Sequence, residues 1–115
     1  IAKANYRLPT SQEWEHAAKA GGKQPKKDFN CTVIVGNQQL KGLSVTSAKS
    51  GLDNGWGLVN YVGNVREIVR EGGVVSARGG SYKNRLQECA IGLKEDFASS
   101  GDDITGFRVV REVTE

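Results

Sequence analysis

The sequence predicts a mixed α+β domain with one clear helix, many short strands and much ordered loop. Its 115 residues are enough for one domain with a modest core. The 15 glycines against 2 prolines suit a turn-rich fold of short strands. Helical periodicity is confined to one segment near the start, whereas the β-branched runs are short and bounded by glycine or asparagine. No parallel, doubly wound pattern is present.

The helix is predicted between a cap at Thr10 and a stop at residues 21–22. Thr10 and Glu13 form a Thr-x-x-Glu capping box, which satisfies two backbone N–H groups at a helix start. Trp14 begins an apolar stripe that continues through two alanines at helical spacing. The glycine pair predicts a left-handed C-cap. His16, the only histidine, has no metal-ligand spacing around it and is expected on the solvent side.

The later elements are predicted as strands joined by turns. Turns are indicated by the glycine and asparagine residues at 36–37 and 53–55. Between residues 56 and 69, glycine and asparagine interrupt the apolar residues, which predicts short strands around a tight loop. The other predicted strands are residues 31–35, 43–46, 74–77 and 107–113.

Composition excludes two classes of partner. The net charge of +3 comes partly from Lys23, Lys26 and Lys27, which suit the negative end of the helix dipole. No basic stripe with interleaved aromatic residues is present, so no nucleic acid partner is expected. No apolar run approaches the ~20 residues that span a bilayer, so no membrane insertion of this segment is expected. A protein or a small molecule remains as the partner.

The two cysteines, Cys31 and Cys89, leave two alternatives open. They lie far apart, without metal-site spacing, so they are either two buried thiols or one disulfide. A disulfide would stabilise a small domain by roughly 2–4 kcal/mol. It would also predict a periplasmic or extracellular location, because disulfides persist in oxidising compartments.

Five short motifs occur in order along the chain. They are Tyr-Arg-Leu-Pro-Thr-x-x-Glu-Trp-Glu-x-Ala-Ala (6–18), Asn-Gly-Trp-Gly-Leu (54–58), Val-Gly-Asn-Val-x-Glu (62–67), Arg-Gly-Gly-Ser-Tyr (78–82) and Gly-Phe-Arg-Val-Val (106–110). This ordered set resembles the formylglycine-generating enzyme and sulfatase-modifying factor superfamily, and the resemblance covers residues 6–111. It implies a C-type-lectin-like fold of the formylglycine-generating type.

The matched glycines and arginines are expected to be structural. Gly79 and Gly80 permit close backbone approach or positive φ. Arg78 and Arg108 are expected to be partly buried, because a planar guanidinium pairs well with carboxylates. The candidate carboxylate partners are Asp102, Asp103 and Glu13.

The resemblance implies one calcium site. Its ligands would be the Asn60 side chain, the carbonyls of Gly63 and Val65, and the Glu67 carboxylate, a set of oxygens that suits a hard cation. The alternative is that Asn60 and Glu67 only cap backbone groups. Arg66 stands where the family usually has tryptophan, and its charge would weaken the site.

The resemblance also indicates which chemistry is missing. Sulfatase-activating members hold copper with two cysteines that would fall at Asn84 and Cys89, and one thiolate cannot form a two-sulfur site. The ergothioneine-type iron site needs three histidines, and this chain has one. No copper or iron is therefore expected, and Cys89 would be catalytic only if ligands came from elsewhere.

Three functions follow as hypotheses. The first is a non-catalytic binding or sensing module within a larger bacterial envelope protein, because this scaffold presents variable loops on a rigid core. The second is a metal-dependent oxidase of the formylglycine-generating type, and the third is a structural protein–protein assembly domain. The ligand-contact candidates are Tyr82, Asn84 and Arg85.

The domain is expected to be single and to span residues 1–115. The family domain begins upstream of the Tyr-Arg-Leu-Pro-Thr motif, so the chain is expected to be the C-terminal part of a longer protein. Glycan binding is not expected, because the chain lacks the Glu-Pro-Asn or Gln-Pro-Asp calcium loop of sugar-binding lectins.

Overall fold

The computed structural model describes residues 3–20, 29–47, 54, 56, 58–97 and 102–114. The predicted α+β class is confirmed, and no helix in this part of the chain is long and apolar enough to cross a membrane. In chain order the elements are β1 (Lys3–Arg7), α1 (Ser11–Lys19), β2 (Val33–Val35), β3 (Gln38–Lys41), β4 (Arg66–Glu71), β5 (Val74–Arg78), β6 (Lys94–Asp96), β7 (Thr105–Gly106) and β8 (Val110–Thr114).

The strands form three small sheets within the described residues. The largest has the order β6-β5-β4-β7, with β4 and β5 as an antiparallel pair at its centre and β7 parallel to β4. The strands β1 and β8 form a separate antiparallel pair, so the two described ends of the chain lie side by side. The third sheet is the hairpin β2–β3.

The capping box at the start of α1 is confirmed. The Thr10 side chain accepts a hydrogen bond from the Glu13 backbone N–H at 3.1 Å, and the Glu13 carboxylate accepts one from the Thr10 backbone N–H at 2.9 Å. At the other end the left-handed cap is Ala20, with φ of 48°. The prediction placed this role on the glycines at 21–22, which lie outside the described residues.

Two strand predictions differ from the structure. The two-residue turn at 36–37, where Gly36 has φ of 61°, returns the chain at once into β3. The strand predicted at 43–46 is therefore wrong, because the return strand has already ended at Lys41. The last strand begins at Val110 instead of Phe107, since Phe107 is 67% exposed and precedes the pairing with β1.

The core lies between α1, β4 and the long loops. At Gly79 the backbone lies close to the core residues Tyr61 and Trp14. A side chain there would meet the Tyr61 carbonyl oxygen at 2.7 Å and the Trp14 ring at 3.1 Å, and its φ is +93°. The expected close approach at this glycine is confirmed. The buried residues that pack together as the core cluster are Trp14, Ala18, Cys31, Tyr61, Val62, Val69, Cys89 and Ile91.

Arg78 is buried as expected but has a different partner. Its guanidinium lies over the Trp14 ring at 5.2 Å and forms an ion pair with Glu15 at 3.3 Å. It also donates to the Ser11 hydroxyl and to the Ile91 carbonyl oxygen. None of the three carboxylates suggested from sequence is involved, because the register of α1 on the sheet brings Glu15 to this position.

Candidate functional site

The predicted site residues fall in two places. One is a cleft beside β4, named here the Glu67 cleft, which has a volume of about 300 Å³ and lies next to Arg108. The other is a larger cavity beside Cys89, named here the disulfide cavity, with a volume of about 720 Å³.

Glu67 lies near the start of β4, where alternate side chains point toward the core. Its side chain is only 5% exposed. Oε1 accepts hydrogen bonds from Trp14 Nε1 at 2.9 Å and Arg108 Nε at 2.6 Å, and Oε2 accepts one from Arg108 Nη2 at 2.8 Å. Arg108 also donates to the Val59 carbonyl oxygen at 3.0 Å. The Arg108 partner suggested from sequence was thus wrong, since Glu67 holds the guanidinium in a bidentate pair.

Three of the four predicted calcium ligands line the Glu67 cleft. Asn60, Val65 and Glu67 are among its walls. Asn60 has φ of 54°, and its amide nitrogen donates to the Ser47 carbonyl oxygen at 3.0 Å. Gly63 is not among the residues that line the cleft, and a side chain at this position would meet the Cys31 sulfur at 2.6 Å and the Asn30 carbonyl oxygen at 2.8 Å.

The Glu67 cleft brings together oxygen-bearing residues that the resemblance implies as calcium ligands. Among the described residues, Glu67 Oε2 accepts one hydrogen bond, from Arg108 Nη2, and one of its lone pairs is left over. The Asn60 amide oxygen and a backbone carbonyl would complete a set of hard oxygen ligands. Arg108 shares this cleft, and its positive charge lowers the affinity for any cation there. Among the described residues, no group of three His, Cys, Asp or Glu side chains is placed to hold a metal.

The disulfide cavity begins with the covalent bond between Cys31 and Cys89. Of the two alternatives left open by the sequence, the structure has the disulfide. Around it, the Thr32 backbone N–H donates to the Asn84 carbonyl oxygen at 2.8 Å, and the Leu86 N–H donates to the Thr32 carbonyl oxygen at 2.9 Å. The segment before β2 is thereby fixed against residues 82–89 by hydrogen bonds and by the disulfide.

The walls of the disulfide cavity are mainly apolar. Phe29 packs edge-to-face on Tyr61 with ring centroids 5.9 Å apart, which holds one wall in place. Within the part of the chain that the structure describes, Arg85 contributes the only charged side chain of the lining. The full lining is Phe29, Thr32, Val33, Ile34, Arg85, Leu86, Gln87, Cys89, Ala90 and Ile91.

The three ligand-contact candidates have different surroundings. Tyr82 is half-buried and does not line the cavity. The Asn84 side-chain oxygen accepts hydrogen bonds from the Ser81 backbone N–H at 2.8 Å and the Ser81 hydroxyl at 3.2 Å, so it braces the turn. Arg85 alone of the three lines the cavity. Sequence reasoning missed the apolar walls, because they come from segments more than fifty positions apart.

The two carboxylates of the acidic loop at residues 102–103 form ion pairs, Asp102 with Arg66 and Asp103 with Lys83. Lys83 Nζ contacts Asp103 at 3.0 Å; this hydrogen bond lowers the pKa of the Asp103 carboxyl and raises that of Lys83. Hydrogen bonds from the Thr105 hydroxyl, the Ile104 N–H and Arg66 lower the pKa of Asp102. Neither carboxylate faces the disulfide cavity.

The fold and the first of these sites define a class of protein. The described residues form one helix and several small sheets joined by long ordered loops, with a buried Glu67 carboxylate paired to Arg108, which is an α+β fold. The sequence profile of the sulfatase-modifying factor enzyme 1-like domain matches residues 2–113, so the chain belongs to that family.

A solved structure supports the assignment. The chain is similar to the crystal structure of CarF, with 28% sequence identity and a TM-score of 0.58. The alignment covers 96% of this chain and 48% of CarF, so the chain spans about half the length of that relative. Comparison with curated protein sequences gave no significant match.

Proposed function

We propose that this domain is a non-catalytic ligand-binding module whose binding site is the disulfide cavity. One observation carries the proposal. Cys89 stands at the position of the family's second copper-binding cysteine, and its sulfur is bonded to Cys31. The position of the first copper-binding cysteine is occupied by Asn84, whose side-chain oxygen is already hydrogen-bonded to Ser81.

The chemistry of these two positions argues against the family's copper reaction. Soft Cu(I) binds thiolates, and a sulfur within a disulfide carries no negative charge to offer it. An amide oxygen is a hard ligand and does not replace the missing sulfur. The sulfur of Cys89 instead joins two loops and helps to shape the cavity between them.

The cavity has the properties of a small-molecule site. Its volume of about 720 Å³ lies in the usual range for ligand pockets, and its walls are apolar with a few polar groups at the rim. The disulfide and the hydrogen bonds around Thr32 form the cavity in advance, so little ordering is needed on binding.

The binding proposal is tested with the neutral fluorescent probe N-phenyl-1-naphthylamine. We expect saturable binding with one probe per chain, and its loss in Ala90→Trp, because a bulky side chain at this exposed lining position fills the cavity. Leu40→Gln is the matched control, since Leu40 is an exposed apolar residue that does not line the cavity. Binding that survives Ala90→Trp, or that is lost in Leu40→Gln, would overturn the proposal.

The non-catalytic part is tested separately with copper. Protein loaded with Cu(I) is assayed for bound metal and for oxygen consumption on a cysteine-containing peptide. We expect neither stoichiometric copper nor oxygen uptake with the disulfide intact. Both together would identify an oxidase.

We also propose that the Glu67 cleft binds calcium weakly. The support is that Asn60, Val65 and Glu67 line one cleft and that Glu67 Oε2 keeps a lone pair. A calcium affinity in the millimolar range is expected, because a single carboxylate beside Arg108 supplies little net negative charge. The melting temperature should rise at ~5 mM calcium.

Two variants distinguish a calcium ligand from a structural group. Asn60→Ala should remove the calcium-dependent shift and lower the metal-free melting temperature only moderately, because it places alanine at a φ of 54° and removes the hydrogen bond to Ser47. Glu67→Ala should also remove the shift but lower the metal-free value, since Glu67 is buried and paired. An equal rise with magnesium, or no rise with calcium, would contradict the site.

The location of the protein is proposed from the disulfide. A bond between Cys31 and Cys89 persists in an oxidising compartment, which supports an envelope or extracellular protein of a bacterium. Mass spectrometry of unreduced protein from its native source should find no free thiol at either cysteine. Two free thiols would place the domain in a reducing compartment.

A further inference from the structure

We propose that the disulfide cavity selects an apolar ligand that carries one negative charge, which pairs with Arg85. The inference rests on the proposed binding function and adds the chemical class of the ligand. Three observations support it. They are the charge of the residues that line the cavity, the lack of an internal partner for the Arg85 guanidinium among the described residues, and the hydrogen bonding or neutrality of the other polar side chains.

Among the described residues, the lining of the cavity has one sign of charge. Arg85 is the only charged residue among the ten that line it, and none of these ten is Asp or Glu. The apolar walls offer burial to a hydrocarbon or aromatic body, worth about 25 cal/mol per Å² of apolar surface. A ligand that fits both features has an apolar body and an acidic group.

The Arg85 guanidinium is available to a ligand. Arg85 is exposed, and within the described part of the chain its head group makes no hydrogen bond or ion pair. The nearby Glu88 carboxylate accepts a hydrogen bond from the Arg85 backbone N–H at 2.9 Å instead. The Glu88 and Cys89 N–H groups both donate to the Arg85 carbonyl oxygen, so the backbone that carries the guanidinium is fixed in a tight turn.

The remaining polar groups of the lining do not compete for this role. The Thr32 hydroxyl donates to the Tyr82 carbonyl oxygen at 2.8 Å and is therefore already used. Gln87 has a neutral amide, which discriminates little between charged and neutral ligands. A carboxylate or sulfonate, in contrast, accepts two parallel hydrogen bonds from a guanidinium.

The test compares two probes that differ by one anionic group. N-phenyl-1-naphthylamine is neutral, and its 8-sulfonate carries one negative charge on the same aromatic body. We expect the sulfonate to bind about three- to tenfold more tightly at low salt, and this preference to shrink as salt is raised. Arg85→Gln should abolish the preference, so that the variant binds the two probes with equal affinity.

Arg70→Gln provides the matched control. It removes the same charge from an exposed position on β4 that does not line the cavity. Equal affinity for the two probes, or equal effects of the two arginine variants, would overturn the inference while leaving the binding proposal intact. Failure of the neutral probe to bind would instead overturn the binding proposal itself.

Discussion

The Glu67 cleft and the disulfide cavity use their polar groups in opposite ways. In the cleft, one buried carboxylate accepts three hydrogen bonds from Trp14 and Arg108, so charge is satisfied inside the protein. In the cavity, the walls are apolar and covalently fixed, and the Arg85 guanidinium is left to the surroundings. The difference teaches that the polar groups of the cleft are used to hold the scaffold together, whereas the Arg85 guanidinium beside the cavity is not part of any such internal pair among the described residues.

The largest effect is expected from Arg108→Met. Among the described residues, the change leaves Glu67 buried with one remaining hydrogen bond, from Trp14, and removing one partner of a buried pair costs about 3–5 kcal/mol. Urea unfolding measures this loss, and probe binding to the disulfide cavity should be unaffected. Arg70→Gln, at an exposed site, should change stability by less than about 0.5 kcal/mol. If the two variants were equally stable, the cleft would have no special role in the scaffold.

The next effect is expected from replacing both cysteines, Cys31→Ala with Cys89→Ala. The disulfide spans 58 residues, and its loss should cost roughly 2–4 kcal/mol because the unfolded chain becomes less restricted. Unlike Arg108→Met, this variant should also weaken binding of N-phenyl-1-naphthylamine, since the cavity walls lose their link. Unchanged probe affinity in the folded variant would show that hydrogen bonds alone shape the cavity.

A smaller loss of stability is expected from Glu13→Gln, which breaks a Glu–Arg pair at the surface. Arg7 and Glu13 form a bidentate pair at 2.6 and 2.7 Å, but both side chains are more than a third exposed. Glu13→Gln keeps an acceptor for the Thr10 N–H, so only about 0.5–1 kcal/mol of stability should be lost. A loss as large as that of Arg108→Met would contradict the contrast between buried and exposed pairs.

The smallest effect concerns pH. The hydrogen bond from Arg7 lowers the pKa of Glu13 from 4.5 to about 2. A carboxyl with a lowered pKa stabilises the folded state above its unfolded pKa, and this contribution is lost as pH falls from 4.5 toward 2. The melting temperature should therefore fall less steeply across this pH range in Glu13→Gln than in the unmodified protein. Parallel curves would exclude Glu13 as a contributor.

Local signals in the sequence predicted local structure well. The capping box at Thr10 and the strand at 74–77 depend on neighbouring residues, and both are present. The partners of Arg78 and Arg108 could not be predicted, because many carboxylates compete and only the packed fold selects Glu15 and Glu67.

The candidate sites were predictable to different degrees. The oxygen-bearing residues of the Glu67 cleft lie within one short loop, residues 60–67, so a resemblance was enough to suggest them. The disulfide cavity is formed where residues 29–34 meet residues 85–91, and no local pattern indicates that these segments enclose a space. Arg85 was suggested from sequence as a ligand contact in a loop. The apolar walls beside it, on which the proposed ligand class depends, were not predicted.

The pairing of β1 with β8 has a mechanical consequence. Lys3 lies opposite Thr114 and Arg7 opposite Val110, so tension applied at the two ends peels this ladder one residue pair at a time. Peeling requires little force compared with sliding whole strands past one another, because the hydrogen bonds break in sequence. The disulfide would then bear the load, and the 58-residue loop that it closes could not lengthen. Under tension the domain would yield first at its outer strands and keep its cavity segment short.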